Sequence, residues 1–241
     1  MKRMLSQIRV DLKLQVRNQL YAVGISISVI LAVGLSQLSS NDELPSVVPA
    51  LILIVIGATT MLYVAGLIMF EKEQGTLEAT IVSPLSSVQY LWSKVFTLTA
   101  LATLETLIMI FGATLIMSRS AMVNLPNFGV FLFGIFTIAI MYTLIGIILI
   151  VRYNKITDFL IPMATVIAVL QLPFLHFWGI VVDDVFLIIP TSAPTMLIQG
   201  AFIPLTAMQW LYAIGYSGLM IVIFAVWSSR AFNKHIIEKV G

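Results

Sequence analysis

Acidic residues are few in this chain, and two sets of them occupy positions where side chains could do chemistry. Glu71, Glu73 and Glu78 share a charged, turn-rich run with Lys72, whereas Glu105 stands alone inside a long apolar stretch. An ionisable group within an apolar span is a candidate for proton or cation binding. A charged run between two such spans is most simply a solvated loop. No combination of nucleophile, base and oxyanion donors is recognisable, so we expect this chain not to be an enzyme.

Several other kinds of site are excluded by residues that the sequence lacks. No Gly-Lys pair occurs, so there is no phosphate-binding loop of the P-loop kind. Cysteine is absent, which removes disulfides and thiolate chemistry. The two histidines, His176 and His235, are predicted to lie on opposite sides of a membrane, so they cannot form a cluster within one chain. We expect no cofactor, no metal and no nucleic-acid partner for this chain.

The composition indicates an integral membrane protein built from helices. Apolar residues make up 60% of the 241 residues and charged residues 10%, compared with about half and a quarter in soluble domains. Lipid leaves no partner for an unpaired backbone group, and the alternation of a barrel strand is missing. About 20 apolar residues cross the hydrocarbon layer as a helix. Six stretches are long enough: Leu20–Leu38, Val47–Phe70, Val95–Met117, Phe128–Val151, Ile156–Phe177 and Gln209–Ser229.

The distribution of charge orients these six spans. With the N-terminus in the cytosol, every basic residue except Arg119 falls on the cytosolic side, as the positive-inside rule requires. The predicted outer loops carry acids instead, such as Asp42 and Asp183. We therefore predict a single multi-pass domain over residues 1–241 with both termini in the cytosol.

Two further segments are predicted outside the spans. Residues 1–18 form an amphipathic helix in the membrane interface, with Leu5, Ile8, Leu12 and Val16 on one stripe beside a basic stripe; a plain basic tail is the alternative. Residues 183–205 contain apolar runs too short to span, interrupted by prolines, and indicate two short elements that enter the outer leaflet and return. An ordinary outer loop is the alternative there.

The run between spans two and three, residues 71–90, has the sequence of a rigid cytosolic corner. Pro84 disfavours helix at Ser83, so a helix leaving span two through Glu78 is expected to end near Val82. Ser86 and Gln89 have the spacing of a capping box that begins the next helix. Gly75 permits a bend just below the bilayer.

This pattern resembles the ABC-2 type permease family, the membrane subunits of ATP-binding cassette exporters. The family's hallmark after span two is Glu-x-x-x-Gly-Thr-x-Glu, then Ser/Thr-Pro-Leu, then a basic residue that opens span three. The residues that match are Glu71, Gly75, Thr76, Glu78, Ser83, Pro84, Leu85 and Lys94. The architecture agrees along the whole chain, while this specific motif covers only the corner.

The resemblance implies a function and a set of partners. The corner would serve as the coupling helix that sits in a cleft of a separate ATP-binding subunit, where ATP and magnesium are held. Because those subunits work in pairs, a second copy of this chain or a homologous permease is implied. Glu71, Glu73 and Glu78 would face the ATPase or hold the corner by pairing with Lys72 or Lys94. The expected location is a prokaryotic cytoplasmic membrane, and the expected cargo is a small amphipathic or hydrophobic compound such as a drug.

Two residues within the spans are candidates for a substrate path or a helix interface. Glu105 lies about 16 Å into span three, near the predicted midplane, and it either hydrogen bonds between helices or serves the cargo. Gln171 lies between Pro162 and Pro173, which are expected to kink span five. An ion-coupled secondary transporter using Glu105 as its proton site is the alternative from another class. A haem-exporting permease is the alternative within the family.

Overall fold

The computed structural model describes residues 2–38, 42–77, 86–118 and 125–238. Within these ranges the regular structure is helical. A short 3-10 turn covers Asp184–Ile188, and a π-helical turn covers Asn233–Ile237. The α-helices are α1 (Lys2–Arg17), α2 (Leu20–Leu38), α3 (Leu44–Glu73), α4 (Ser87–Met117), α5 (Phe128–Ile150), α6 (Ile156–Gln171), α7 (Phe174–Phe177), α8 (Ser192–Gln199) and α9 (Ala207–Phe232).

Six membrane-spanning segments are confirmed by the lengths and hydropathies of these helices. They are α2, α3, α4, α5, the pair α6 and α7, and α9 with the turn that follows it. The first span has the predicted bounds. The helix of the third span begins at Ser87, about two turns before the predicted start at Val95. The protein is therefore an all-α, multi-pass membrane protein, as its sequence predicts.

Helices α3 and α5 form the centre of the bundle. In their most apolar windows 72% and 78% of the residues are buried, against 22% in α2, in α6 with α7, and in α9. Helix α5 contacts α3, α4, α8 and α9, while α4 lies between α2 and α5. The outer helices therefore leave wide apolar faces, which suits contact with lipid or with another membrane chain.

Two helices begin at the capping boxes that the sequence predicts. The amide of Gln89 donates to Ser86 Oγ and the amide of Ser86 donates to Gln89 Oε1, both at 3.3 Å. Thr206 and Gln209 repeat the arrangement at the start of α9. These bonds satisfy amides that would otherwise lack partners in the first turn.

The fifth span is interrupted where Pro173 stands. Helix α6 runs through Pro162 without a break but ends at Gln171, and α7 resumes at Phe174. Proline cannot donate to a carbonyl one turn earlier. The Thr191 hydroxyl, just before α8, donates to the nearby Leu170 carbonyl at 2.5 Å, so a polar side chain distant in sequence supplies a further hydrogen bond at this break.

The segment between α7 and α9 contains two short elements, the 3-10 turn and α8. Every residue from Ser192 to Ile198 is buried, because α8 packs among α3, α5 and α9. At Gly134 of α5 an added Cβ would stand 3.0 Å from the Ile198 backbone nitrogen. The absence of a side chain at Gly134 thus allows α8 to lie directly against α5.

Candidate functional site

The described part of the corner after span two turns at Gly75. Helix α3 ends at Glu73, and Gly75 adopts a φ of +67° before Thr76 and Leu77 become helical again. The chain bends at Gly75, where the sequence permits it, in the left-handed region that glycine adopts without strain. The predicted end of the helix near Val82 lies outside the described residues. The side chains from Glu73 to Thr76 are exposed, whereas Leu77 is buried. Glu78, Ser83 and Pro84, which belong to the predicted coupling set, lie outside the described residues.

Glu71 supports the corner from inside the protein. Its carboxylate is only 3% exposed, forms an ion pair with Lys94 of α4, and accepts a hydrogen bond of 2.5 Å from the Tyr90 hydroxyl. Of the two roles that the sequence leaves open for Glu71, the structure shows the pairing with Lys94. A buried carboxylate cannot reach a docked protein, so Glu71 acts by joining α3 to α4.

Asp11 of α1 completes the same cluster, and sequence reasoning missed it. Lys94 Nζ lies 2.6 Å from Asp11 Oδ1, and the Ser93 hydroxyl donates to Asp11 Oδ2 at 2.8 Å. The Gln7 amide also donates to Asp11, at 3.0 Å. The signal was present in the spacing of four between Gln7, Asp11 and Gln15, which places all three on one face of α1. That face meets the bundle, while Leu5 and Val16 of the predicted apolar stripe are exposed.

Two further contacts hold the corner at its sides. The Arg17 guanidinium, at the end of α1, donates to Gln74 Oε1 at 2.9 Å. The Lys72 ammonium donates to the Tyr153 carbonyl, in the connection between α5 and α6, at 2.7 Å. The corner is thus fixed to α1, to α4 and to a second loop, while Glu73, Gln74, Gly75 and Thr76 remain at the surface. An exposed segment held this rigidly can transmit force from a bound protein to the helices, whereas a flexible loop cannot.

Glu105 lies at a junction of three helices. It is 3% exposed, and Oε2 accepts a hydrogen bond of 3.3 Å from Thr59 of α3. Oε1 lies against Gly24 of α2, where an added Cβ would stand 1.9 Å from it. Oε1 and the nearby Tyr63 hydroxyl have no hydrogen-bond partner of standard geometry within the described residues.

Gln171 joins two helices by a hydrogen bond. Its side-chain amide donates to the Ile54 carbonyl of α3 at 2.7 Å. The bond joins α6 to the central helix α3 immediately before the break at Pro173. Of the two roles that the sequence proposes for Gln171, this contact supports the helix interface.

A small apolar cavity lies where the C-terminal part of α4 meets the N-terminal part of α5. Its volume is about 90 Å³, and Phe111, Phe128 and Phe131 contribute to its wall. Pockets for drug-sized ligands usually measure about 300–1,000 Å³, so this one holds no more than a fragment of such a molecule. Phe133 and Phe136, on the same helix as Phe131, are exposed and face away from the bundle.

Comparison with known proteins identifies the family. The sequence profile of the fluoroquinolones export permease protein family matches residues 2–240. The chain belongs to this family. Two curated relatives, the fluoroquinolones export permease proteins of Mycobacterium tuberculosis strains CDC 1551 and H37Rv, are each 27% identical over 250 residues. Each alignment covers 100% of this chain and 99% of the relative.

Family membership confirms the resemblance to drug-export permeases that the corner motif indicates. The proton-coupled and haem-exporting alternatives are not favoured by it. Within the described residues of the permease, no group of three or more His, Asp or Glu side chains is placed to hold a metal ion. The features that distinguish its interior are the cluster around Lys94 and the carboxyl of Glu105.

Proposed function

We propose that this permease is the membrane-spanning subunit of an ATP-driven exporter that moves fluoroquinolone-like drugs out of the cytoplasm. The match of the family profile to residues 2–240 carries this proposal, and the printed names of the two mycobacterial relatives supply the class of cargo. Fluoroquinolones are small and amphipathic, in agreement with the cargo expected from the sequence.

The energy source in this proposal is a separate ATP-binding subunit. The chain has no P-loop sequence of its own, and ATP and magnesium would bind to the partner. The partner would dock on the surface formed by Glu73, Gln74, Gly75 and Thr76. The sequence motif adds Glu78, Ser83 and Pro84, which lie outside the described residues. The support for this docking site is its combination of exposure with rigid attachment to α1 and α4.

A second permease chain completes the proposed transporter. Each chain offers one corner, while ATP-binding subunits of this class act as a pair. Helices α2, α6 and α9 keep most of their apolar surface uncovered within one chain, which leaves room for an identical or homologous permease in the membrane. The cytosolic placement of both termini, in a prokaryotic cytoplasmic membrane, belongs to the same proposal.

Drug transport into liposomes that contain the purified complex tests the proposal directly. The permease is purified with its copurifying ATP-binding subunit, reconstituted, and supplied with a fluoroquinolone and either ATP or a proton gradient. We expect drug accumulation that requires ATP, stops with vanadate and survives a protonophore. Accumulation driven by the proton gradient without an ATP-binding subunit would instead establish a secondary transporter. An ATP-binding subunit whose P-loop lysine is replaced provides the matched control.

A further inference from the structure

The two central helices, α3 and α5, pack together through glycines. At Gly57 of α3 an added Cβ would stand 2.6 Å from the ring of Tyr142, and at Gly146 of α5 it would stand 3.3 Å from the Val64 side chain. Each helix thus places one side chain against a glycine of the other. Small residues at such positions let two helices in a membrane approach closely.

Thr60 lies on the face of α3 that makes this contact. It stands three residues after Gly57 and four before Val64, and both of these residues face α5. Residues at such spacings share one face of a helix. Thr60 is 1% exposed and Tyr142 is 0% exposed, so both side chains are enclosed. We call Gly57, Thr60 and Val64 of α3, with Tyr142 and Gly146 of α5, the central contact.

The hydroxyls of Thr60 and Tyr142 have no hydrogen-bond partner among the residues that the structure describes. Thr59 and Thr143, which stand next to them in the sequence, each donate to the carbonyl one turn earlier in their own helix. A threonine inside a helix commonly forms this bond, and Thr60 does not. A buried polar group without a partner costs free energy, and most buried hydroxyls have one.

Comparison with other tyrosines shows that Tyr142 is unusual. The hydroxyls of Tyr212 and Tyr216 each donate to a backbone carbonyl, as a buried tyrosine hydroxyl usually does. The Tyr63 hydroxyl, which is also without a partner of standard geometry in the described part of the chain, lies near the Glu105 carboxylate. Two unpaired hydroxyls on facing helices therefore distinguish the central contact from the rest of the bundle.

We propose that the central contact is a binding site for the cargo, which opens between α3 and α5 during transport so that Tyr142 and Thr60 donate hydrogen bonds to the drug. This inference deepens the proposed function and rests on it, because it assumes that a fluoroquinolone crosses this permease. Fluoroquinolones carry a ring carbonyl and a carboxylate, whose oxygens accept from hydroxyls. The drug supplies partners that the closed contact lacks, so its binding favours the open arrangement.

A disulfide across the central contact tests whether it opens. The distance of 3.3 Å between Val64 and an added Cβ at Gly146 is close to the roughly 3.5–4.5 Å that separate the Cβ atoms of a disulfide. The chain has no cysteine of its own. Val64→Cys with Gly146→Cys is reconstituted in liposomes together with the ATP-binding subunit. We expect oxidation to stop ATP-driven uptake of a fluoroquinolone and a reductant to restore it.

A second disulfide, between α2 and α4, is the matched control. At Gly112 of α4 an added Cβ would stand 2.9 Å from the Ala32 side chain, so Ala32→Cys with Gly112→Cys joins these helices in the same way. The proposal does not require α2 and α4 to separate, and we expect the oxidised control to keep its uptake. Counting of free thiols shows that each disulfide has formed. Normal uptake by the oxidised 64–146 variant, or an equal loss in both variants, overturns the inference.

Removal of the two hydroxyls tests their contact with the drug. Tyr142→Phe and Thr60→Val keep the shapes of the side chains, and we expect each to raise the KM of fluoroquinolone uptake about 2- to 10-fold, the effect of losing one hydrogen bond. The unfolding temperature should stay the same or rise, because each variant removes a buried group without a protein partner. Thr143→Val, whose hydroxyl bonds within α5, is the control and keeps the wild-type KM.

The outcomes separate the inference from the proposed function. A purely structural role of the hydroxyls predicts the opposite pattern, a lower unfolding temperature with an unchanged KM in both variants. That pattern overturns the inference and leaves the exporter intact. Failure of the wild-type complex to take up drug with ATP overturns the proposed function itself, and the inference with it.

Discussion

At the scale of single residues, the packing of α1, α3 and α4 beside the corner depends on one lysine. Lys94 holds Asp11 and Glu71 together in a place from which water is excluded. Buried ion pairs add little net stability over apolar packing, but removing one partner leaves an uncompensated charge. The cluster is therefore a strong constraint on which helices meet there.

Substitution of Lys94 tests this constraint. Lys94→Met leaves two buried carboxylates without a cation, and we expect a loss of about 3–5 kcal/mol of stability. Thermal unfolding in detergent measures the loss, with the exposed Lys13→Met as control. A triple variant that adds Asp11→Asn and Glu71→Gln removes the unpaired charges and should regain part of the stability. Equal unfolding temperatures for Lys94→Met and wild type would contradict this account.

The contacts of Glu105 favour a structural role, in which its side chain holds helices together. It joins α2, α3 and α4 by filling the space beside Gly24 and accepting from Thr59. We expect Glu105→Gln, which keeps the shape, to export drug normally and to lose no more than about 1 kcal/mol. Glu105→Ala leaves a cavity and should cost about 2–5 kcal/mol, as for other buried side chains of this size.

The measurements for Glu105 are drug export from cells and thermal unfolding of the purified variants. Loss of export in Glu105→Gln at unchanged stability would show that the carboxylate serves the cargo or a proton. The polar neighbour Thr103, which bonds only to its own helix at the Thr99 carbonyl among the contacts described, offers Thr103→Val as a control.

At the scale of secondary structure, two glycines decide where elements can turn or approach. Nothing lies within 4 Å of a Cβ added at Gly75, so there is space for a side chain. Glycine is favoured at this position only because of its φ of +67°. Gly134 lies within a helix, and glycine is favoured there because α8 approaches closely. The same residue type thus has a conformational reason in one element and a packing reason in the other.

The corner is expected to tolerate only residues that accept a left-handed backbone. Gly75→Val should cost about 1–2 kcal/mol at the bend and lower recovery of the ATP-binding subunit with the permease by about 5- to 30-fold. Gly75→Asn is the matched control, since asparagine adopts this conformation more readily. Pull-down of the complex from detergent solution measures the recovery of the ATP-binding subunit with each of the two variants. Equal recovery with valine would show that the bend is unnecessary for docking.

The contact between α5 and α8 is expected to be sensitive to side-chain size. Gly134→Val places atoms against the Ile198 backbone, and overpacking of this kind costs about 1–3 kcal/mol. Gly34→Val, at a glycine of α2 with nothing within 4 Å, is the control. Thermal unfolding distinguishes them. If the two variants unfold at the same temperature, α8 does not pack against Gly134.

At the scale of the whole molecule, the orientation in the membrane follows from charge and can be measured cleanly. Single cysteines introduced into this cysteine-free chain report which side each loop faces. We expect Asp42→Cys and Val182→Cys to react with an impermeant maleimide in intact cells. Glu73→Cys and Asn154→Cys should react only after permeabilisation. The reverse pattern would place the corner outside, where no ATP-binding subunit could reach it.

Much of the architecture was predictable because lipid imposes a simple rule on sequence. Every spanning helix must be long and apolar, so six spans can be read from runs such as Leu20–Leu38. Capping boxes at Ser86 and Thr206 are equally local, since the partners stand three residues apart. The sequence permits a bend at Gly75 but does not require it, because the choice between continuing and bending also depends on contacts made by Gln74 and Lys72 with distant residues.

The sequence by itself determined the class, the six spans, the corner motif and the family, because each depends on composition or on residues close together in the chain. Only the tertiary structure decided which side chains meet. Asp11 and Lys94 are separated by 83 positions, yet they form one ion pair. Glu105 was recognised from its apolar surroundings, but its neighbours Thr59 and Gly24 depend on how three helices pack. Apolar periodicity shows that a helix is buried in lipid or protein, whereas the packing of particular helices places the few polar groups beside their partners.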